Sequence, residues 1–213
     1  MALIRILSWN LLQGGGRRRE AIIENVTSHH PDIFAIQEFR SSGGPPLVDA
    51  LYDHGLTHFH APAAPSPTVN TPAIASRWPF DVIRTFPAEG EQPRFLHLRF
   101  DKPDAKVDLD VIVLHLPHKK EQVAVFDALN ALPASLRHGS ALLIGDFNCG
   151  IPFKDSESRT FENTRHFQQL LRDGWIDAWR KRYPQDREFS WISTKKNSAT
   201  AMTTPSSLRP SIP

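Results

Sequence analysis

Leu142-Leu143-Ile144-Gly145-Asp146-Phe147-Asn148 is the stretch whose reading decides the fold. Three aliphatics run into a glycine, an aspartate and, two residues on, an asparagine. A short, continuous apolar run bounded by turn formers is the pattern of a buried strand. Gly145 is free to take backbone angles that other residues avoid, so it can swing Asp146 out at the strand's end. If the extended geometry persists, Asp146 and Asn148 project from the same side. A carboxylate beside a carboxamide offers one proton acceptor and one neutral donor, a pair suited to reaction at phosphorus. The competing reading is an Asx turn, in which the two side chains bond their own backbone.

Working outward, three more apolar runs end in polar residues. Leu3 to Leu11 alternates and carries Ser8-Trp9-Asn10 at its tip. Asp32-Ile33-Phe34-Ala35-Ile36 runs into Gln37-Glu38. Val107 to Leu114 becomes wholly apolar and stops at His115. A polar residue after a buried strand is costly unless it is paired or used, and four such endings point to a shared pocket. A hard cation such as magnesium takes carboxylate and carbonyl oxygens and keeps several waters. Glu38 supplies the charge for it and Asn10 a neutral oxygen. His115 can donate to a phosphate oxygen or carry a proton near neutral pH. Asp146 can accept a proton from an attacking water, and Asn148 can donate to phosphoryl oxygens as charge builds.

Between these tips, Ile22, Ile23 and Val26 share a helical face that Pro31 terminates, and Pro45 to His54 reads as a second helix. Residues 61–72 are a proline-rich loop. Short strands are expected at 73–76, 80–86 and 94–100, and helices at 121–132 and 161–172, the latter stopped by Gly174. Trp175 to Trp179 reads as a short amphipathic turn, and Phe189 to Ile192 as a final strand. Strand pairs with helices outside them favour two packed sheets over a doubly wound parallel sheet. Arg17-Arg18-Arg19, behind three glycines, is either a solvated helix start or a phosphate-facing loop. His29-His30 reads as a solvated helix end, His118-Lys119-Lys120 as either a polyanion-binding loop or an exposed cap, and Trp175, Trp179 and Trp191 as packing residues.

Composition sets limits on function. Hydrophobic content of 40% and charged content of 23% fit a globular chain with a sizeable core, and the net charge of +2 argues for no polyanionic partner on its own. Cys149 is the only cysteine, so no internal disulfide can form; it reads as a small buried hydrophobe in a cytoplasmic protein. No apolar run approaches the roughly 20 residues of a membrane span.

Ser-Trp-Asn at 8–10, Pro-Asp-Ile-Phe-Ala-Ile-Gln-Glu at 31–38, Ala-Ile-Ala-Ser-Arg-Trp-Pro-Phe at 73–80, Leu-His-Leu at 114–116 and Gly-Asp-Phe-Asn at 145–148 stand in a telling order. With these the sequence resembles the endonuclease/exonuclease/phosphatase family, which has the deoxyribonuclease I-like fold. The resemblance implies an α+β, four-layered sandwich: two mixed β-sheets face to face with outer helices. It also implies magnesium-dependent phosphodiester hydrolysis, with manganese as an alternative ion and a nucleic acid or small phosphodiester as substrate. Glu38 would be a metal ligand, with Asn10 positioning metal or phosphate. His115 would contact the phosphate, Asp146 would orient or activate the water, and Asn148 would bind the phosphoryl oxygens. Ser76-Arg77 would be structural.

The family also closes with an Arg-x-Asp-(His or Tyr) strand and a Ser-Asp-His motif, which supply the catalytic histidine, its aspartate and a metal-side aspartate. Neither motif occurs here, and no aspartate or histidine follows Asp186. The expectation is a family domain over residues 1–193, incomplete at its C-terminus by truncation or frameshift after about Ser198. Residues 194–213 would then form an irregular tail. Activity would be impaired; the alternative is an inactive remnant that binds a phosphorylated ligand or a partner protein.

Overall fold

The computed structural model describes residues 3–87, 90–102, 107–156, 161–186, 191–193, 198–200 and 208–210. Contacts divide the chain into two units, Met1–His115 and Leu116–Pro213.

The first unit opens with β1 (Ile6–Asn10), α1 (Arg19–Ser28), β2 (Ile33–Phe39), α2 (Pro45–Asp53), β3 (His58–His60) and β4 (Thr71–Ser76). Their strands form a mixed sheet in the order β1-β2-β4-β3, with β1 parallel to β2 and the other pairs antiparallel. β2 reads as an unbroken apolar run because both its faces are covered. Phe34 and Ile36, with Ala73 and Ala75 opposite them, share a core with Ile22 and Val26 of α1 and Leu47 and Leu51 of α2. The alternate residues Ile33, Ala35 and Ile74 are equally buried on the other face. β5 (Asp81–Phe86), β6 (Phe95–Lys102) and β7 (Val107–His115) follow as an antiparallel meander, and β2 and β4 pack against it. The unit therefore contains two facing sheets with helices on the outside of one.

The second unit holds α3 (Gln122–Asn130), α4 (Ala134–His138), β8 (Ala141–Asp146), α5 (Thr164–Arg172), β9 (Trp175–Asp177), α6 (Ala178–Arg182), β10 (Trp191–Ser193), β11 (Ser198–Thr200) and β12 (Leu208–Pro210). β12 lies between β8 and β9 and is antiparallel to both, while β10 and β11 pair as a separate antiparallel ribbon. Every residue of β8 is buried, as its sequence requires.

Several expectations need correction. The opening strand is confined to Ile6–Asn10. The expected turn at 175–179 is a strand, β9, followed by a helix, α6. Asp177 separates them: its carboxylate accepts from Arg180 N at 2.9 Å, an N-cap bond. α5 begins at Thr164 rather than 161, because Asn163 is the cap whose carbonyl accepts the first helical N–H groups. Within the span read as an irregular tail, Ser198–Thr200 and Leu208–Pro210 are strands. Residues 194–197, 201–207 and 211–213, and residues 189–190 of the expected last strand, lie outside the described residues. Among the described residues no helix is long and apolar enough to cross a membrane.

Candidate active site

In the first unit the site is built around Glu38, which sits in a β-bulge. Ile36 faces Ala73 and Phe39 faces Thr71, so β2 spends one residue more than β4. Glu38 absorbs it at φ +56°, a left-handed conformation that costs a non-glycine residue about 1–2 kcal/mol. Bulges re-aim side chains, and this one is held by hydrogen bonds. Glu38 Oε1 accepts from Asn10 Nδ2 at 3.0 Å, and Oε2 accepts from Gln13 N and Asn70 Nδ2, both at 2.8 Å. His115 places Nε2 3.7 Å from Oε1, and both side chains are largely buried. The parallel pairing of β1 with β2 sets Asn10 opposite Gln37, next to Glu38. Asn10 Oδ1 in turn accepts from Leu12 N at 2.8 Å. The structure thus brings Asn10, Glu38 and His115 together.

Asn70 and Arg40 are the residues that sequence reasoning missed. Arg40 Nε donates to Asn70 Oδ1 at 2.6 Å, which turns the Asn70 amide nitrogen toward Glu38. Gln92 Nε2 holds the Asn70 carbonyl at 3.0 Å. Arg40, two residues beyond Glu38 on an extended segment, could have been guessed from the period of two. Asn70, in a loop with no periodicity, carried no signal. The triple arginine resolves into a short 3₁₀ turn, Gly16–Arg18, followed by α1, and Arg18 donates to the Leu11 carbonyl at 2.8 Å. Arg77 is structural, bridging to Asp32 at 3.3 Å.

In the second unit, Gly145 takes φ +136° at the end of β8, as its place in the sequence demands. The extended geometry does not persist beyond Asp146. Asn148 turns left-handed at φ +45°, and its N–H donates to Asp146 Oδ1 at 2.9 Å. The Asx turn is therefore real, and it replaces the side-by-side projection expected of an extended strand. It fixes the carboxylate through Oδ1. Asn148 Nδ2 donates to the Leu116 carbonyl at 2.8 Å, which uses one of the amide's two N–H bonds. Gln122, itself buried, holds the Phe147 carbonyl at 2.7 Å.

The loop after Asn148 is tied down by a buried charge cluster. Asp155 accepts from Ile151 N at 2.5 Å and pairs with Arg180, which also reaches Asp177 at 3.2 Å. Burial pushes the Asp155 carboxyl above the ordinary carboxylate range, against the opposing pull of the Ile151 N–H and Arg180. Cys149 is 3% exposed, and burial pushes its thiol up to about 12. It is the small buried hydrophobe that its context implied. A maleimide at pH 8 should therefore label Cys149 only as fast as the chain unfolds, because the thiolate is both scarce and hidden. Labelling of the native protein at the rate of a free thiol would contradict this.

Among the described residues, no three His, Cys, Asp or Glu side chains group as metal ligands. Magnesium is commonly held by one or two carboxylates, waters and substrate oxygens. Glu38 is a carboxylate of that kind, and Asn10 turns its amide nitrogen toward it while its oxygen accepts from Leu12 N.

Two facing sheets with outer helices, and strand tips bearing Asn, Glu and His, define a phosphoesterase-type scaffold. A family model described as the endonuclease/exonuclease/phosphatase family matches residues 7–197, and the chain belongs to that family. The 3' phosphatase NExo from Neisseria, bound to a product DNA hairpin, is similar at TM-score 0.73 and 21% identity, over 94% of this chain and 84% of that one. An AP endonuclease from Archaeoglobus fulgidus is similar at TM-score 0.68 and 18% identity, over 98% of this chain and 84% of that one. The mannosyl-6-phosphatase Bt3783 of Bacteroides thetaiotaomicron is similar at TM-score 0.60 and 22% identity, over 84% and 74%. No curated protein sequence matches the chain. The fold class is α+β, two mixed sheets with helices, as the motif order implied.

Proposed function

We propose that the chain is a magnesium-dependent phosphoesterase that hydrolyses phosphodiesters by in-line attack of water, with manganese as an alternative ion. The observation that carries this reading is Glu38, a strained, mostly buried carboxylate fixed by three N–H donors with an imidazole beside it. Strain of this kind persists where function requires it. Glu38 and Asn10 would hold the ion, which would neutralise charge on the phosphoryl group and make water a better nucleophile.

The chain's own residues do the rest. His115 donates a hydrogen bond to a phosphate oxygen. Asp146, pinned by its Asx turn, orients the water and accepts its proton. Asn148 donates its second amide N–H to the phosphoryl oxygens as negative charge builds. The assignment of Asp146 and Asn148 to the same reaction as Glu38 rests on the family's motif order. A nucleic acid is the favoured substrate, supported by the names of the 3' phosphatase and the AP endonuclease, and a small phosphodiester is the alternative. We place the protein in the cytoplasm.

The sequence has neither the Arg-x-Asp-(His or Tyr) nor the Ser-Asp-His motif of its family. We therefore expect these 213 residues to turn over far more slowly than a relative that has both, since residues acting as a unit fail together. The second reading is a non-catalytic binder of a phosphorylated ligand or a partner protein. Bis(p-nitrophenyl) phosphate with magnesium separates the two. Turnover that Asp146→Ala lowers by about a hundredfold or more fits the loss of a general base and supports the enzyme. Metal-dependent binding of the ester without turnover supports the binder.

A further inference from the structure

We infer that Asn70, aimed by Arg40, is a positioning residue that makes Glu38 a one-oxygen ligand, presenting Oε1 to the cation and withholding Oε2. This rests on the reading of Glu38 as a metal ligand. A carboxylate has about four lone-pair sites, two on each oxygen. Oε2 receives two N–H groups, from Gln13 and Asn70, both at 2.8 Å, so its sites are filled. Oε1 receives one, from Asn10 at 3.0 Å, and faces His115 at 3.7 Å. The oxygen with a site left for a cation is Oε1.

Of the two groups on Oε2, the Gln13 N–H is backbone and its direction follows the loop. The Asn70 amide is a side chain that could also sit flipped, which would set its oxygen against Glu38, two acceptors facing each other with no bond between them. Arg40 decides the orientation. A guanidinium only donates, so its 2.6 Å bond from Nε fixes Oδ1 on the Arg40 side and Nδ2 on the Glu38 side. The Asn70 backbone is itself tied by Gln92, at 3.0 Å. Loss of either side chain frees Oε2, lets the carboxylate rotate and spoils the aim of Oε1.

The two side chains differ in charge, which gives the test its sign. Arg40 is a cation near a cation site. By Coulomb's law alone its removal helps a second cation to bind, whereas the relay requires that removal to weaken binding. The experiment titrates the full chain with Mn²⁺, followed by electron paramagnetic resonance, for the wild type, Asn70→Ala, Arg40→Met and Glu38→Gln, with thermal melts alongside. Loss of an outer-shell partner typically costs 10–100-fold in metal affinity. About tenfold or more is expected for both Asn70→Ala and Arg40→Met, at melting temperatures near the wild type's.

Unchanged or tighter binding in Asn70→Ala overturns the inference, whatever Arg40→Met does. Tighter binding in Arg40→Met also overturns it. Failure of the functional reading has a different signature: no Mn²⁺ binding in the wild type, or binding that survives Glu38→Gln. Should Arg40→Met not fold, Asn70→Ala decides alone.

Discussion

Glu38→Gln should reduce Mn²⁺ affinity by more than the ~10–100-fold that loss of an outer-shell partner costs, and it should also destabilise the metal-free chain. The first effect follows from charge, because a neutral carboxamide gives a hard divalent ion no anionic oxygen. The second follows from hydrogen-bond polarity. Both oxygens of Glu38 accept N–H groups, from Asn10 on one side and from Gln13 N and Asn70 on the other. Glutamine must place its NH₂ against one of those sides, donor facing donor, whichever way it turns. A fully buried donor left without an acceptor costs about 1–3 kcal/mol; the Asn10 and Asn70 amides are part-buried and the Gln13 N–H is exposed, so the loss here lies toward the low end. Backbone strain does not relax to offset this, since glutamine at φ +56° is as unfavourable as glutamate. Urea unfolding with Mn²⁺ titration reads both effects. A Glu38→Gln variant that binds Mn²⁺ like the wild type would remove this glutamate from the metal site altogether.

The same residue marks where the sequence stops being legible. That β2 is a buried strand with a carboxylate at its tip could be read from Ile33-Phe34-Ala35-Ile36-Gln37-Glu38, because an apolar run with a polar tip is a local pattern. The bulge that aims the carboxylate could not. It exists only as a mismatch between β2 and β4 across the ladder, and Glu38 is not a residue that advertises a positive φ. Asn70 lies 32 residues from its partner, in a loop without periodicity. Gly145 was legible because its backbone need is intrinsic to glycine. Asn148 was only half legible: the Asx turn and the extended pair begin from the same letters, and the left-handed φ at Asn148 chooses between them. β9 was hidden for a different reason. Three residues are too few to show a period, and they are a strand only because Leu208–Pro210 pairs with them from more than thirty residues away.

Arg180→Ala should be the most destabilising single change in the second unit, by about 3–5 kcal/mol, the range for removing one partner of a buried ion pair. Arg180 is shared by two carboxylates, Asp155 at 3% and Asp177 at 6% exposure. Without it two acids face each other with little water. Asp155 keeps the Ile151 N–H and Asp177 keeps the Arg180 backbone N–H, neither of which carries a full charge. The pH dependence distinguishes this cause from simple loss of packing. Burial already raises the Asp155 carboxyl, and Arg180 is among the groups that pull it back down. Removing Arg180 raises it further. A carboxyl whose folded pKa lies above its unfolded value contributes stability that is fully present below the unfolded value. That stability is lost as pH rises through the folded one. The gap between wild type and Arg180→Ala should therefore be narrowest near pH 4, where an ordinary carboxyl is half protonated, and widen toward neutrality. Urea unfolding followed by the fluorescence of Trp175 and Trp179 measures it in the right unit. A gap of constant size from pH 4 to 7 would mean that Arg180 acts through its methylene stem, and that the loop after Asn148 is held in place by packing instead of charge.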